Sequence, residues 1–186
     1  ALIGRGESNR PVRRRREPAR GVTPLEQPGA AGHPVAMADQ PKSFTLSPEI
    51  HAYLMAHSTA IDEIQADLIA ETAEATGLAA GMQIAPEQGA FMTLLTRAIG
   101  ARQAVEVGTF TGYSALAVAR GLGPDGRLLC CDVSEEWTTI ARRYWARAGV
   151  ADRITLKIGP AADTLAALDP GPQFDLAFID ADKTGY

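Results

Sequence analysis

The sequence predicts an α/β fold, a doubly wound and mostly parallel sheet preceded by N-terminal helices. Between residues 47 and 100, apolar residues recur every three or four positions, which is the period of amphipathic helices. Short apolar runs typical of strands then follow at 104–107, 127–131, 154–158 and 174–179. Helical segments separate them at about 112–122, 134–148 and 160–168. This alternation indicates right-handed βαβ units, and therefore a parallel sheet.

Residues that favour helix termini mark the N-terminal helices. Ser47 followed by Pro48 predicts an N-cap and a proline at the first helical position. The pattern Thr59-x-x-Asp62 resembles a capping box in front of a second helix, for which Gly77 is the predicted stop. A third helix is predicted to begin near Pro86 and to end near residue 100.

The last apolar run, 174–179, is typical of a strand that is covered on both faces of the sheet. The predicted order is three helices followed by β-α-β-α-β-α-β. Since the sequence ends in the loop after this strand, we expect C-terminal strands of the sheet to be missing. A sheet cut at this point would expose backbone groups and apolar surface, so a chain that truly ended at Tyr186 is expected to be unstable and inactive.

Charge and composition divide the chain into a basic tail, residues 1–40, and one folded domain, residues 41–186. The tail contains the run Arg13–Arg16 and lacks an apolar period, which predicts disorder. Seven Arg and three Glu lie in 1–36, whereas 37–186 hold eleven basic and nineteen acidic residues. The acidic domain argues against nucleic acid as a partner. No apolar run reaches about 20 residues, and the N-terminal residues have arginines but no apolar h-region, so we expect neither a membrane span nor a secretory signal.

The two cysteines, Cys130 and Cys131, are neighbours in a predicted strand. Neighbouring strand residues point to opposite faces, so these thiols would not pair with each other. Two buried thiols are typical of a reducing compartment, and we expect a cytoplasmic protein.

The loop after the first strand has the spacing G-x-x-x-G, from Gly108 through Thr109 to Gly112. A dinucleotide-binding loop needs a further glycine where this chain has Phe110, and the Gly-Lys-Ser/Thr of a P-loop is absent. The acid Glu106 would repel a phosphate, whereas it would attract an ammonium or sulfonium group. The loop therefore predicts a cationic ligand without phosphate.

Asp132 closes the second strand, 24 residues after Gly108, where an acid can accept hydrogen bonds from ribose hydroxyls. A ribose, positive charge and no phosphate together describe S-adenosylmethionine. Each residue also has a structural explanation. The glycines could serve only a tight turn, Glu106 could be a solvated acid, and Asp132 could be a helix N-cap, although Ser134 is better placed for that.

With these residues in place, the chain resembles the metal-dependent class I O-methyltransferases of the caffeoyl-CoA/catechol type. The resemblance rests on the stretches MQIAPEQGAFM (82–92), VEVGTFTGYSALAVA (105–119), LLCCDVS (128–134), AGVADRI (148–154), GPAADTL (159–165) and FDLAFIDADKTGY (174–186). It implies a homodimer and transfer of a methyl group from S-adenosylmethionine to a hydroxyl of a small catechol-like or phenylpropanoid acceptor.

The resemblance also implies roles for individual residues. The positions that match cofactor contacts of the family are Ile84, Glu106, Gly108, Thr109, Ser114, Asp132, Ala161 and Asp182. Asp180 matches a ligand of a divalent metal (Mg²⁺, Mn²⁺ or Ca²⁺), which would chelate two vicinal hydroxyls and lower the pKa of one. Lys183 matches a proposed general base. The family's remaining metal ligands follow a further strand, which the sequence lacks.

Three alternatives stay open at this point. Some relatives methylate nucleosides in tRNA, which makes a tRNA nucleoside O-methyltransferase the second enzymatic hypothesis. A truncated, non-catalytic module that binds S-adenosylmethionine comes from a different class. A nicotinamide-dependent oxidoreductase would have to bind its pyrophosphate despite Phe110 and Glu106.

Overall fold

A computed structural model describes residues 46–171 and 173–183, and the statements below concern these residues. The prediction of a disordered basic tail at 1–40 lies outside them. Three helices precede the sheet: α1 (Pro48–His57), α2 (Glu63–Thr76) and α3 (Pro86–Ala98). The strands are β1 (Gln103–Val107), β2 (Arg127–Asp132), β3 (Ile154–Ile158) and β4 (Leu176–Ile179). Between them lie α4 (Tyr113–Gly121), α5 (Glu135–Arg147) and α6 (Ala161–Ala166), with 3-10 turns at Gly77–Met82 and Ala151–Arg153.

The helix termini confirm most of the predicted caps. Ser47 accepts a hydrogen bond from the Ile50 amide, and the second helix ends at Gly77, whose φ is 55°. The predicted capping box at Thr59 is wrong. Asp62 is itself the N-cap of α2, and its carboxylate and Gln65 form the reciprocal pair of hydrogen bonds. The pair Asp62 and Gln65 has the same spacing as the predicted pair Thr59 and Asp62, and the capping box forms at Asp62 and Gln65.

The sheet has the strand order β3-β2-β1-β4, and all neighbouring strands are parallel. β1 is central, with Val107 opposite Cys131 on one side and Ile179 on the other. The chain moves outward from β1 to β3 and then crosses back to place β4 on the other side. The strand order therefore reverses beside β1, and in such sheets ligands bind at the carboxyl ends of the strands at this reversal.

The core lies around β1, β2 and α4. Nearly every residue of α4 is buried, and Leu68 of α2, Met92 of α3 and Trp145 of α5 pack against the same cluster. β4 differs, since Ala177 is exposed and Ile179 is 54% exposed. The prediction that β4 is covered on both faces is therefore wrong within the described part of the chain, because the described helices leave one face of this edge strand open. Of the described helices, none is long and apolar enough to cross a bilayer.

α3 and α4 are in close contact where α4 ends. A Cβ added to Gly121 would lie 2.6 Å from the Cβ of Thr96 and 2.7 Å from the backbone oxygen of Thr93. Glycine is required here by the short distance between the two helices.

The substitution Gly121→Ala is expected to lower the free energy of unfolding by about 1–3 kcal/mol, because the added methyl group overpacks the α3–α4 contact. Urea denaturation measures this effect. Gly123→Ala is the matched control, since a Cβ at Gly123 meets nothing within 4 Å. Equal losses of stability in both variants would contradict the close packing at Gly121.

Candidate functional site

A cavity of about 660 Å³ lies at the carboxyl ends of β1, β2 and β4. Its volume is within the range of small-molecule binding sites. It collects nine of the ten residues to which the sequence assigns a role: Ile84, Gly108, Thr109, Ser114, Asp132, Ala161, Asp180, Asp182 and Lys183. The tenth, Glu106, lies outside the lining and is completely buried in β1.

The glycine loop, residues 108–112, turns sharply between β1 and α4. Gly108 has a φ of 92°, and a Cβ there would lie 2.4 Å from the backbone oxygen of Asp180. Gly112 has a φ of 87°, and its Cβ would lie 2.5 Å from the Cβ of Ala141. Both glycines are thus required by the turn itself and by the close approach of neighbouring segments.

Asp132 holds this loop in place from the end of β2. Its Oδ2 accepts hydrogen bonds from the backbone N–H groups of Thr109 and Phe110, each at 2.8 Å. Its Oδ1 accepts from the N–H of Ser134 at 2.8 Å, while the Ser134 side chain caps α5. The N-cap of α5 is therefore Ser134, as its position in the sequence favoured, and Asp132 orients the glycine loop.

Phe110 has a φ of 53°, a conformation that costs free energy for a residue other than glycine. The hydrogen bond from its N–H to Asp132 stabilises this backbone. Its ring meets Trp137 of α5 edge-on, with ring centroids 4.9 Å apart and planes at 79°. Both aromatic residues line the cavity, and they give it an apolar wall that the sequence analysis did not predict. Their contact depends on how α5 folds back over the loop.

Glu106 is 0% exposed, and neither of its carboxylate oxygens has a hydrogen-bond partner among the described residues. Burial raises its pKa to about 8, and the carboxylates of Asp132 and Asp180 act in the same direction. The nearby hydroxyls of Ser114 and Thr109 lower the pKa, although neither reaches a carboxylate oxygen with hydrogen-bond geometry. Glu106 is therefore a buried acid without a compensating cation among the described residues, rather than a solvated strand-end acid.

Asp180 and Lys183 lie at the other side of the cavity, after β4. The Lys183 ammonium pairs with Oδ1 of Asp180, and both side chains are partly exposed. The residue predicted as a metal ligand and the residue predicted as a general base thus neutralise each other in this arrangement.

The described residues do not form a complete metal site. No three His, Cys, Asp or Glu side chains within 46–171 and 173–183 come together in a way that could hold a metal ion. Asp180 alone supplies too few oxygen ligands for Mg²⁺ or Ca²⁺.

Cys130 and Cys131 are both buried and unpaired, as predicted. Burial raises the pKa of both thiols, so they stay protonated at neutral pH.

The parallel α/β sheet, the cavity at its strand-order reversal and the glycine loop after β1 have the arrangement of the class I methyltransferase fold. Structures of this class are similar to the chain. The O-methyltransferase TomG from Streptomyces achromogenes, solved in complex with SAM, is 33% identical with a TM-score of 0.66, over 73% of this chain and 60% of that one. An O-methyltransferase from Bacillus cereus, solved with SAH, is 34% identical with a TM-score of 0.67, over 74% and 62%.

The sequence comparisons identify the family. The model of the O-methyltransferase family matches residues 55–186, and the chain belongs to this family. It is 43% identical to the probable caffeoyl-CoA O-methyltransferase 2 of Dictyostelium discoideum, over 72% of this chain and 59% of that protein. It is 41% identical to the catechol O-methyltransferase of Mycobacterium tuberculosis, over 73% and 60%. The chain thus spans about three fifths of the length of these relatives.

The substitution Glu106→Gln is expected to stabilise the ligand-free chain at pH 8 by roughly 2–4 kcal/mol, and much less at pH 5. The pKa of Glu106 is about 8 when folded, against 4.5 ordinarily. Between these values the unfolded chain releases a proton that the folded chain retains, so parent stability falls as pH rises. Glutamine does not ionise, so the variant lacks this pH-dependent loss of stability.

Urea unfolding at both pH values measures the difference. Glu136→Gln on the exposed surface of α5 is the control, and its difference from the parent should not grow with pH. If the difference in unfolding free energy between the parent and Glu106→Gln were the same at pH 5 and pH 8, Glu106 would not be a buried neutral acid.

Proposed function

We propose that the chain binds S-adenosylmethionine in this cavity and transfers its methyl group to a hydroxyl of a small catechol-like or phenylpropanoid acceptor. The family and the SAM- and SAH-bound neighbours support the donor. The names of the relatives, a caffeoyl-CoA and a catechol O-methyltransferase, support the class of acceptor.

One observation carries the choice of donor. The amides of Thr109 and Phe110, which a phosphate-binding loop would direct at its ligand, are both taken by the carboxylate of Asp132. A negative charge thus already occupies the position where a pyrophosphate would need donors. The same argument opposes a nicotinamide dinucleotide.

The residues around the loop fit the remaining parts of this donor. Glu106 lies buried with no cation beside it among the residues that the structure describes, and an ammonium group near it would remove that deficit. Asp132 lines the cavity and has lone pairs left for ribose hydroxyls. Ile84, Phe110 and Trp137 provide apolar surface for the base. Gly108, Thr109, Ser114, Ala161 and Asp182 complete the proposed set of contacts.

S-adenosylmethionine supplies a methyl group on a cationic sulfur, which leaves as a neutral thioether. The protein has to align the acceptor oxygen with that methyl group, exclude water and accept the hydroxyl proton. Lys183 is the proposed proton acceptor. Its ammonium is paired with Asp180, so the pair has to separate and Lys183 has to lose its proton before it can act as a base.

A non-catalytic module that binds S-adenosylmethionine is the second candidate. The Asp180–Lys183 ion pair favours it, because in this pairing neither residue is ready for metal binding or proton transfer. Binding of the donor without turnover of any catechol would support this alternative.

Three further parts of the proposal come from the family resemblance. They are assistance by a divalent metal at Asp180, a homodimer, and a cytoplasmic location. The metal would need oxygen ligands additional to Asp180, from the acceptor hydroxyls or from elsewhere in the protein.

Isothermal titration with S-adenosylmethionine tests the donor. We expect saturable binding by the parent chain and a dissociation constant at least about tenfold higher for Asp132→Ala, which loses both the ribose acceptor and the loop hydrogen bonds. Asp125→Ala, in the exposed turn before β2, is the control and should bind like the parent. Absence of heat in the parent, or equal affinity in Asp132→Ala, would refute the proposed donor.

Metal assistance is tested by following methyl transfer to a catechol after treatment with EDTA and again after addition of Mg²⁺. Wherever turnover is present, the proposal predicts its loss with EDTA and its recovery with Mg²⁺. Asp180→Asn should lose the response to Mg²⁺ while it retains the titration heat with S-adenosylhomocysteine. Turnover that is indifferent to EDTA would remove the metal from the mechanism.

A further inference from the structure

We propose that Thr72 of α2 is a positioning residue, which holds the glycine loop in its ligand-binding shape through a buried hydrogen bond to Thr111. The Oγ1 of Thr72 donates to the Oγ1 of Thr111 at 2.8 Å, and both residues are 0% exposed. Thr111 belongs to the loop that lines the cavity, whereas Thr72 belongs to a helix outside the sheet. The identity of the ligand rests on the proposed function, but the geometry of this contact does not.

α2 reaches this region of the cavity at two points. Gln65 donates from Nε2 to the hydroxyl of Tyr113 at 3.0 Å, and Tyr113 is the first residue of α4 after the loop. Gln65 and Thr72 are seven residues apart, which places them on the same helical face two turns from each other. Leu68, between them, is completely buried on this face. One face of α2 thus contacts both the loop and the helix that follows it.

Tyr113, which accepts the hydrogen bond from Gln65, is held in place by burial. Tyr113 is 2% exposed, and burial raises its pKa to about 12, so its hydroxyl stays neutral and accepts from Gln65. The Gln65 side chain also accepts from the Asp62 amide in the capping box of α2. The start of the helix and the start of α4 are therefore connected through one side chain.

Ion pairs on the neighbouring flank of α2 fix its position against α5. Asp67 pairs with Arg147, and Glu71 pairs with Arg143 and accepts a hydrogen bond from the Tyr144 hydroxyl at 2.8 Å. These contacts hold α2 against α5 apart from its hydrogen bond to Thr111, so the hydrogen bond from Thr72 relates the position of α2 to that of the loop.

The loop also has contacts from β2 and from α5. Gly108 donates to the Cys131 oxygen at 2.9 Å, the two amides after it bind Asp132, and the Gly112 oxygen accepts from the Trp145 indole at 3.1 Å. The contact of Thr111 with Thr72 comes from α2 instead. Loss of the Thr72 hydroxyl would leave the Thr111 hydroxyl buried without this partner, and such a group costs free energy until the backbone moves to satisfy it.

Thr72→Val, which keeps the shape and removes the hydroxyl, tests the proposal in the full chain. Amide hydrogen exchange of Thr109 and Phe110 should accelerate about three- to tenfold, and the dissociation constant for S-adenosylhomocysteine should rise by a similar factor. Thr72→Ser keeps a hydroxyl and should restore both values. The thermal unfolding temperature, recorded for every variant, shows whether each one is folded.

Thr96→Val is the matched control. Thr96 is also 0% exposed, but its hydroxyl bonds the Met92 oxygen within α3, away from the loop. Thr96→Val should leave the amide hydrogen exchange of the loop and the dissociation constant for S-adenosylhomocysteine unchanged. Equal effects of Thr72→Val and Thr96→Val, or unchanged loop exchange in Thr72→Val, would overturn the positioning role.

A double-mutant cycle with Thr111→Val gives a second, independent readout. When both hydroxyls are absent, no buried group is left unsatisfied, so the double variant should be no weaker in binding than either single one. If the losses of binding free energy in the two single variants added fully in the double variant, the proposal would be overturned. If the parent gives no heat with S-adenosylhomocysteine but Thr72→Val still accelerates exchange in the loop, the proposed function fails and the positioning role stands.

Discussion

The two hydrogen bonds from the glycine loop to Asp132 are the interaction on which the site depends. They join the ends of two adjacent parallel strands, and they stabilise the positive φ of Phe110. They also decide what the loop can bind, because its amides are no longer available to a phosphate. A single carboxylate thus acts on the backbone conformation and on ligand selection together.

Unlike Asp132, which stabilises the loop, Glu106 lowers the stability of the folded chain. A carboxylate without hydrogen-bond partners in the centre of a sheet weakens the folded state as the pH rises, and a valine or alanine would pack there at lower cost. If the cavity holds a cation beside this residue, the ligand removes the deficit that folding creates. Binding and folding would be coupled through this residue.

The N-terminal helices contribute to the site from outside the sheet. Two polar side chains of α2, the half-buried Gln65 and the buried Thr72, contact the loop region, where apolar residues would have served packing alone. The far side of the cavity is less complete. Asp180 and Lys183 face each other there, and the donors for a metal are not assembled among the described residues.

The sequence by itself determined the order of the elements and most strand positions, because period, caps and glycines are local signals. It also brought Gly108, Asp132 and Asp180 to one sheet edge, since the carboxyl ends of parallel strands meet there. Tertiary structure alone decided the burial of Glu106, the Phe110–Trp137 wall and the contact between α2 and the loop. These depend on distances between segments far apart in the chain, and residue type and spacing carry no information about such distances.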